Sequence, residues 1–285
     1  MASDRLDPAF EAIAADAAHP VIVSVPHAGR DYGPELIARL RPPVARLASL
    51  EDRLVDEVAR GLDGVPVLIA RQPRAWIDLN RAETEIDPAM IERAAPGMPF
   101  TLSAKVRSGL GLVPRRLSGT GELWRARFSA TEIADRIAAH HRPYHDRLAD
   151  WLGAARRRHG IAVLLDLHSM PPLADGSATR VVIGTRYGRS ADPALVAPII
   201  EAIAAAGLEW RENSPYAGGH IVERHGAPRH AIHAVQLELD RTLYLDRSLD
   251  RCAPAGLAFT QALLADIVDR LRRAAIGQML PIAAE

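Results

Sequence analysis

Two histidines occupy comparable places in the chain. His27 follows the apolar run Val21–Val25 in the segment Ser24-Val-Pro-His-Ala-Gly29, and His168 follows Ile161–Leu165 in Asp166-Leu-His-Ser-Met170. Each apolar run reads as a buried strand, and ligands of open α/β sheets collect beyond the carboxyl ends of strands. If the two strands are parallel, the imidazoles leave the sheet at one edge and can converge. Neutral imidazoles suit zinc, and a carboxylate is the usual third ligand when one position stays open for water. The alternative is that each ring caps its strand end or satisfies a buried polar contact.

Three acids compete for the third place. Glu51 and Asp52 open a segment that reads as a helix, where first-turn acids commonly serve only to complement the helix dipole. Glu223 lies three residues after His220, a His-x-x-Glu spacing found at some zinc sites. His141 and His145 have i,i+4 spacing, but Pro143 lies between them and no Glu follows His141, so they read as a solvated helix face. Glu238, within Val235-Gln-Leu-Glu-Leu-Asp240, sits in an apolar strand. Burial there is costly unless the group is paired, and desolvation moves a carboxyl toward the pKa range useful to a general base. Strict alternation also allows Gln236, Glu238 and Asp240 to share a wet face.

The elements that must position these groups alternate strand and helix. Strands are expected at Val21–Val25, Val65–Ala70, Trp76–Leu79, Ile161–Leu165, Arg180–Gly184 and Ala231–Leu239. Ser49-Leu-Glu-Asp52 has a capping pattern for a helix to about Leu62, and Ser129-Ala-Thr-Glu132 opens one to about Arg158, with a kink or break at Pro143. Asp192-Pro193 starts a helix to about Ala206, and Ala255–Arg273 forms the last. This order predicts an α/β sandwich with helices on both faces of a largely parallel or mixed sheet. The stretch from about Asp87 to Gly121 is irregular and reads as an excursion beside a site.

Composition narrows the chemistry. The 285 residues carry 35 basic and 35 acidic side chains, and zero net charge argues against a general nucleic-acid binder while allowing a local basic pocket. A single cysteine, Cys252, excludes an intrachain disulfide or a thiolate-rich zinc site. The polar, acidic start and the absence of a ~20-residue apolar stretch predict a cytoplasmic protein without a membrane segment. Lys105 is the sole lysine, so 34 of 35 basic residues are Arg and a single Arg is weak evidence for a site. No G-x-S-x-G, P-loop, dinucleotide fingerprint or H-E-x-x-H is present.

Six segments, in order, resemble the N-formylglutamate amidohydrolase (deformylase) family: SVPHAG at 24–29, EDRLVD at 51–56, RAWIDLNR at 74–81, LDLHSM at 165–170, NSPYAGG at 213–219 and QLELDRTLY at 236–244. The resemblance implies a single domain over residues 1–285, a three-layer α/β/α sandwich around a central mixed sheet similar to zinc carboxypeptidases, and hydrolysis of a formamide or related C–N bond with one Zn2+. It implies His27, Asp52 and His168 as metal ligands, with Glu51 adjacent to Asp52, and Glu238 as the catalytic carboxylate. Arg81 becomes the first choice to hold the carboxylate of a small anionic N-acyl amino acid, because a guanidinium fork matches it. Arg74 and Arg125 come second. Asn213, Gly218 and Gly219 could approach the substrate by their backbone. A zinc peptidase, another N-acyl-amino-acid hydrolase and a non-catalytic ligand-binding relative are the competing functions.

Overall fold

The computed structural model describes residues 9–14, 18–94 and 96–277. Nine strands are present among them: β1 (Phe10–Ile13), β2 (Val21–Val25), β3 (Val67–Ala70), β4 (Arg116–Leu117), β5 (Gly121–Glu122), β6 (Ala162–Met170), β7 (Thr179–Gly184), β8 (Glu209–Glu212) and β9 (Ile232–Asp240). The α-helices are α1 (Pro34–Arg39), α2 (Val55–Ala59), α3 (Ala104–Arg107), α4 (Ala130–Arg136), α5 (Arg142–His159), α6 (Pro193–Ala205), α7 (His220–His225) and α8 (Pro254–Gly277). Seven strands form one sheet in the order β1-β3-β2-β6-β9-β7-β8, while β4 and β5 make a separate hairpin. The sheet is mixed, because β2, β6 and β9 run parallel and β7 runs antiparallel to β9. The expected α/β architecture, a mixed central sheet flanked by helices, is the one observed.

By its contacts the chain groups into two compact units, residues 1–11, 26–51 and 69–146 in one and residues 12–25, 52–68 and 147–285 in the other. In the second unit, β6 is the hub. It has parallel neighbours on both sides and all nine of its residues are buried, as befits a strand covered on both faces. Helix α8 buries Leu263, Leu264, Ile267, Val268 and Leu271, which recur at helical spacing, and packs against α6 and α2. Each such side chain contributes about 1.5–3 kcal/mol on burial. Helix α6 starts as expected, with the Asp192 side chain accepting from the Ala194 amide and Pro193 at its first position.

The first unit carries α1, α3, the β4–β5 hairpin and α4. The Ser129 capping box is complete: its hydroxyl accepts from the Glu132 amide, and the Glu132 carboxylate accepts from the Ser129 amide. The expected break near Pro143 takes the form of a π-helical stretch, Ile137–His141, leading into α5. No helix among the described residues is long and apolar enough to cross a membrane.

Three local expectations are corrected. The segment 49–62 is not one helix: a 3-10 turn ends at Ser49, Leu54 takes a left-handed backbone (φ 56°), and α2 spans only Val55–Ala59. Asp52 therefore lies in the turn before a short helix. Trp76–Leu79 is not a strand. Asp78, in its middle, is fully buried and bound by side chains, so the segment folds around that carboxylate instead of extending. Strand β6 does not stop at Leu165. It stays paired with β9 through Met170, which puts His168 inside a strand.

Candidate metal centre

Strand register builds half of the site. On the parallel pair β6 and β9, His168 is directly opposite Glu238 and Asp166 opposite Gln236, so all four side chains project from one face. Ser24 of β2 is the register partner of Asp166, and its hydroxyl donates to Asp166 Oδ1 at 2.9 Å. Because β2 and β6 are parallel, the chain leaves both strands toward the same edge. His27 comes two residues after β2 ends.

Both His168 nitrogens face carboxylates. Nδ1–H donates to Asp52 Oδ2 at 2.8 Å and Nε2–H donates to Asp166 Oδ2 at 3.0 Å. Burial alone would lower the pKa of this ring, but the charges of Asp166 and Asp52 and their hydrogen bonds outweigh it and hold the pKa well above the ordinary imidazole value. His27 is held similarly, with Nε2–H donating to Asp78 Oδ1 at 2.7 Å. Burial would raise the Asp78 pKa, yet Arg74, His27 and Arg81 together keep it well below the usual carboxylate range. With Nε2 of His27 tied to Asp78, the neutral form of that ring carries its lone pair on Nδ1; His168, if neutral with its proton kept on Nε2 toward Asp166, presents the Nδ1 lone pair on the side of Asp52. Ligand atoms of His27, Asp52 and His168 lie within 4.8 Å of one another, and all three residues are buried. Two imidazoles oriented by second carboxylates, plus one aspartate, are a donor set suited to a divalent cation.

Of the competing acids, Asp52 is the one whose oxygen falls in this cluster. Glu51 accepts from the Tyr32 hydroxyl, and Glu223 is exposed and paired with Arg186. The solvated-face expectation for His141 and His145 is overturned. Both are fully buried, and their Nε2–H groups donate to the carbonyls of Arg81 and Leu79, at 2.8 and 2.9 Å. They therefore brace the Leu79–Arg81 segment that follows Asp78.

Glu238 is buried rather than on a wet face, as are Gln236 and Asp240. Gln236 Nε2–H donates to Glu238 Oε1 at 2.8 Å, and Gln236 Oε1 accepts from the Gly219 amide at 2.8 Å. Gly219 thus supports the glutamine that holds the carboxylate. Gly218 has φ 110°, and a Cβ there would come within 2.7 Å of Val222 Cγ2. The Asn213 side chain is engaged by the turn that follows β7, accepting from the Thr185 and Tyr187 amides and donating to Thr185 Oγ1. Arg81 is buried, with Nε donating to the Leu110 carbonyl and Nη1 to the Asn80 carbonyl. Arg74 Nε donates to Asp78 Oδ2 at 2.8 Å.

Sequence reasoning passed over Asp78, Asp166 and Arg241. The i,i+2 spacing of Asp166 and His168 on one strand was the available signal for the second. Arg241, just past the end of β9, lies 3.7 Å from Asp52 Oδ1 by its Nη2 and donates from Nε to Ser169 Oγ.

A mixed α/β sheet bearing a buried His/Asp cluster beside an in-register glutamate defines a hydrolase-type site that could hold a metal. The family model for N-formylglutamate amidohydrolase matches residues 19–245. Two N-formylglutamate deformylases are each 32% identical. That of Pseudomonas aeruginosa aligns over 263 residues, 88% of this chain and 92% of its own length, and that of Pseudomonas putida over 237 residues, 80% and 83%. The crystal structure of N-formylglutamate amidohydrolase from Ralstonia eutropha JMP134 superposes with a TM-score of 0.84 at 26% identity, covering 93% of this chain and 99% of that one. The chain belongs to the N-formylglutamate amidohydrolase family, and it is an amidohydrolase.

Proposed function

We propose that the protein hydrolyses the C–N bond of an N-formyl amino acid, N-formylglutamate or a close analogue, releasing formate and the free amino acid. The observation that carries this reading is the buried His27–Asp52–His168 cluster beside Glu238, in a chain whose curated relatives are named N-formylglutamate deformylases. The family match spans most of the chain, which supports treating residues 1–285 as one catalytic domain.

His27 Nδ1, His168 Nδ1 and the Asp52 carboxylate would hold Zn2+. When bound, the ion polarises the formyl oxygen and lowers the pKa of water at the site. Asp78 and Asp166 orient the two rings. Glu238 takes a proton from the water whose oxygen adds to the formyl carbon, then delivers it to the amide nitrogen as the C–N bond breaks. Gln236 keeps that carboxylate aimed along the face it shares with His168. Arg81, with Arg74 second, and the Asn213, Gly218 and Gly219 turn remain the proposed substrate contacts, orienting the carboxylate of a small anionic N-acyl amino acid.

The test is formate release from N-formylglutamate by native, chelator-treated and zinc-restored protein. Activity should vanish on chelation and return with zinc, and full turnover by demonstrably metal-free protein would overturn the assignment. His168→Ala should lose zinc, whereas Glu238→Gln should keep zinc and lose turnover. N-acetyl amino acids and dipeptides in the same assay separate a deformylase from a broader acylase or a peptidase.

A further inference from the structure

Within the first unit lies a cavity of about 420 Å³ that the proposed reaction does not use, lined by Arg41, Arg115, Glu122, Trp124, Arg125 and Arg127 among others. Four arginines line it, against one acid, Glu122. Arg115 divides its donors between Asp87 Oδ2, at 2.7 Å, and Glu122 Oε1, at 2.5 Å. Arg41 is pinned along the wall, its Nε donating to the Trp124 carbonyl at 2.5 Å. Arg125 and Arg127 are exposed at the cavity, and neither has a side-chain partner among the described residues. The whole chain is electrically neutral, so this local excess is not a share of a general basic surface.

A fifth guanidinium stands behind the aromatic wall. Arg136 is 4% exposed and sits over the rings of Trp76 and Phe128, 3.4 and 4.0 Å from their centroids, and 5.9 Å from that of Trp124. Its Nη1 reaches the Trp76 carbonyl at 3.3 Å, while Nη2 has no hydrogen-bond partner. Burial pushes its pKa down to about 9, which still leaves it a cation at neutral pH. Trp124 therefore has positive charge on both its cavity side and its buried side. Arginine forks bind carboxylate and phosphoryl oxygens in pairs, and two adjacent unengaged forks favour a ligand with more than one charge.

We propose that this cavity binds a small oxyanion carrying two or more negative charges, a phosphoryl group or a dicarboxylate, with Arg125 and Arg127 as its principal contacts. The cavity shares no residue with the His27–Asp52–His168 cluster, so the proposal is tested without regard to whether that cluster binds zinc.

Isothermal titration of the full-length protein at low ionic strength, with inorganic phosphate in one arm and succinate in the other, tests it. One saturable site is expected for at least one of the two, and which one binds tells phosphoryl from carboxylate. The Arg125→Ser/Arg127→Ser double variant should bind at least tenfold more weakly, and Glu122→Gln, which removes the competing acid, should bind more tightly. Binding should persist in His168→Ala. No saturable binding in either arm, affinity within twofold of native in the double variant, or loss of binding in His168→Ala would each overturn the assignment. Circular dichroism melts check that the double variant is folded, and the tightening by Glu122→Gln tests the site independently of it.

Discussion

Replacing Asp78 by Asn isolates the orientation of His27 from the rest of the site. In the native protein Asp78 Oδ1 accepts from His27 Nε2 at 2.7 Å and from the Asn80 amide at 2.9 Å, while Oδ2 accepts from Arg74. An asparagine has nearly the same shape but no charge, and it can present its amide NH2 to the ring. That favours the tautomer with the proton on Nδ1, the nitrogen assigned to the metal. Loss of a carboxylate behind a histidine ligand typically lowers metal affinity about 10–100-fold, which is roughly 1.4–2.7 kcal/mol. The fold should also weaken, because Arg74 and Arg81 lose their shared counter-charge. Arg74 is partly exposed and can turn to water, so the cost should stay near the lower end of the roughly 3–5 kcal/mol typical of breaking a buried ion pair. The assay is competition for zinc against a chromophoric chelator, with urea melts alongside. Asp87→Asn is the control: it removes a carboxylate paired with Arg115 in the same unit without touching His27. Zinc affinity in folded Asp78→Asn within threefold of native would refute the orienting role, as would an equal loss in Asp87→Asn.

Gln236→Leu should lower kcat at least tenfold with zinc content unchanged, and cost about 1–3 kcal/mol in a urea melt, because it strips a hydrogen bond from Glu238 and leaves the half-buried Gly219 amide without its acceptor. An unchanged kcat would remove Gln236 from the site. Gly218→Ala should destabilise the protein by about 1–3 kcal/mol, since φ 110° strains an alanine and the added methyl meets Val222; a melt identical to native would contradict this. Burial lowers the pKa of His233, only partly offset by Asp192, while its Nδ1 accepts from the Asp192 amide. Its folded pKa therefore lies below its unfolded one, and its contribution is fully present above about pH 6.5 and is lost as pH falls toward the folded value. Urea melts from pH 7.5 to 5 should show His233→Gln losing less stability across that window than native protein; parallel curves would count against it.

Much of the fold was legible because it rests on local chemistry. Apolar runs ended by Pro26 and Gly184 gave β2 and β7, the apolar run at 231–239 gave β9, and side-chain caps at Ser129 and Asp192 marked where α4 and α6 begin. The failures share a cause. At Trp76–Leu79 and at 49–62 local propensity suggested regular elements, but a buried carboxylate needs convergent donors, and meeting Asp78 and Asp52 bends the chain out of them. The His141/His145 pair was misjudged for the same reason: two polar rings on a helix look solvated until the carbonyls that receive them, 60 and 66 residues away, are known.

The order of short motifs along the chain determined the family and singled out His27, His168 and Glu238 as candidates, with Asp52 among three competing acids, because side-chain chemistry and strand-end placement are written in one dimension. Tertiary structure alone decided which aspartates the two imidazoles face, that Asp52 rather than Glu51 or Glu223 joins the cluster, and that Glu238 shares a buried face with His168. These follow from strand register and from hydrogen bonds between residues 51 and 116 positions apart. Neither register nor such a distant contact has a local energetic signature, so only the folded chain can express them.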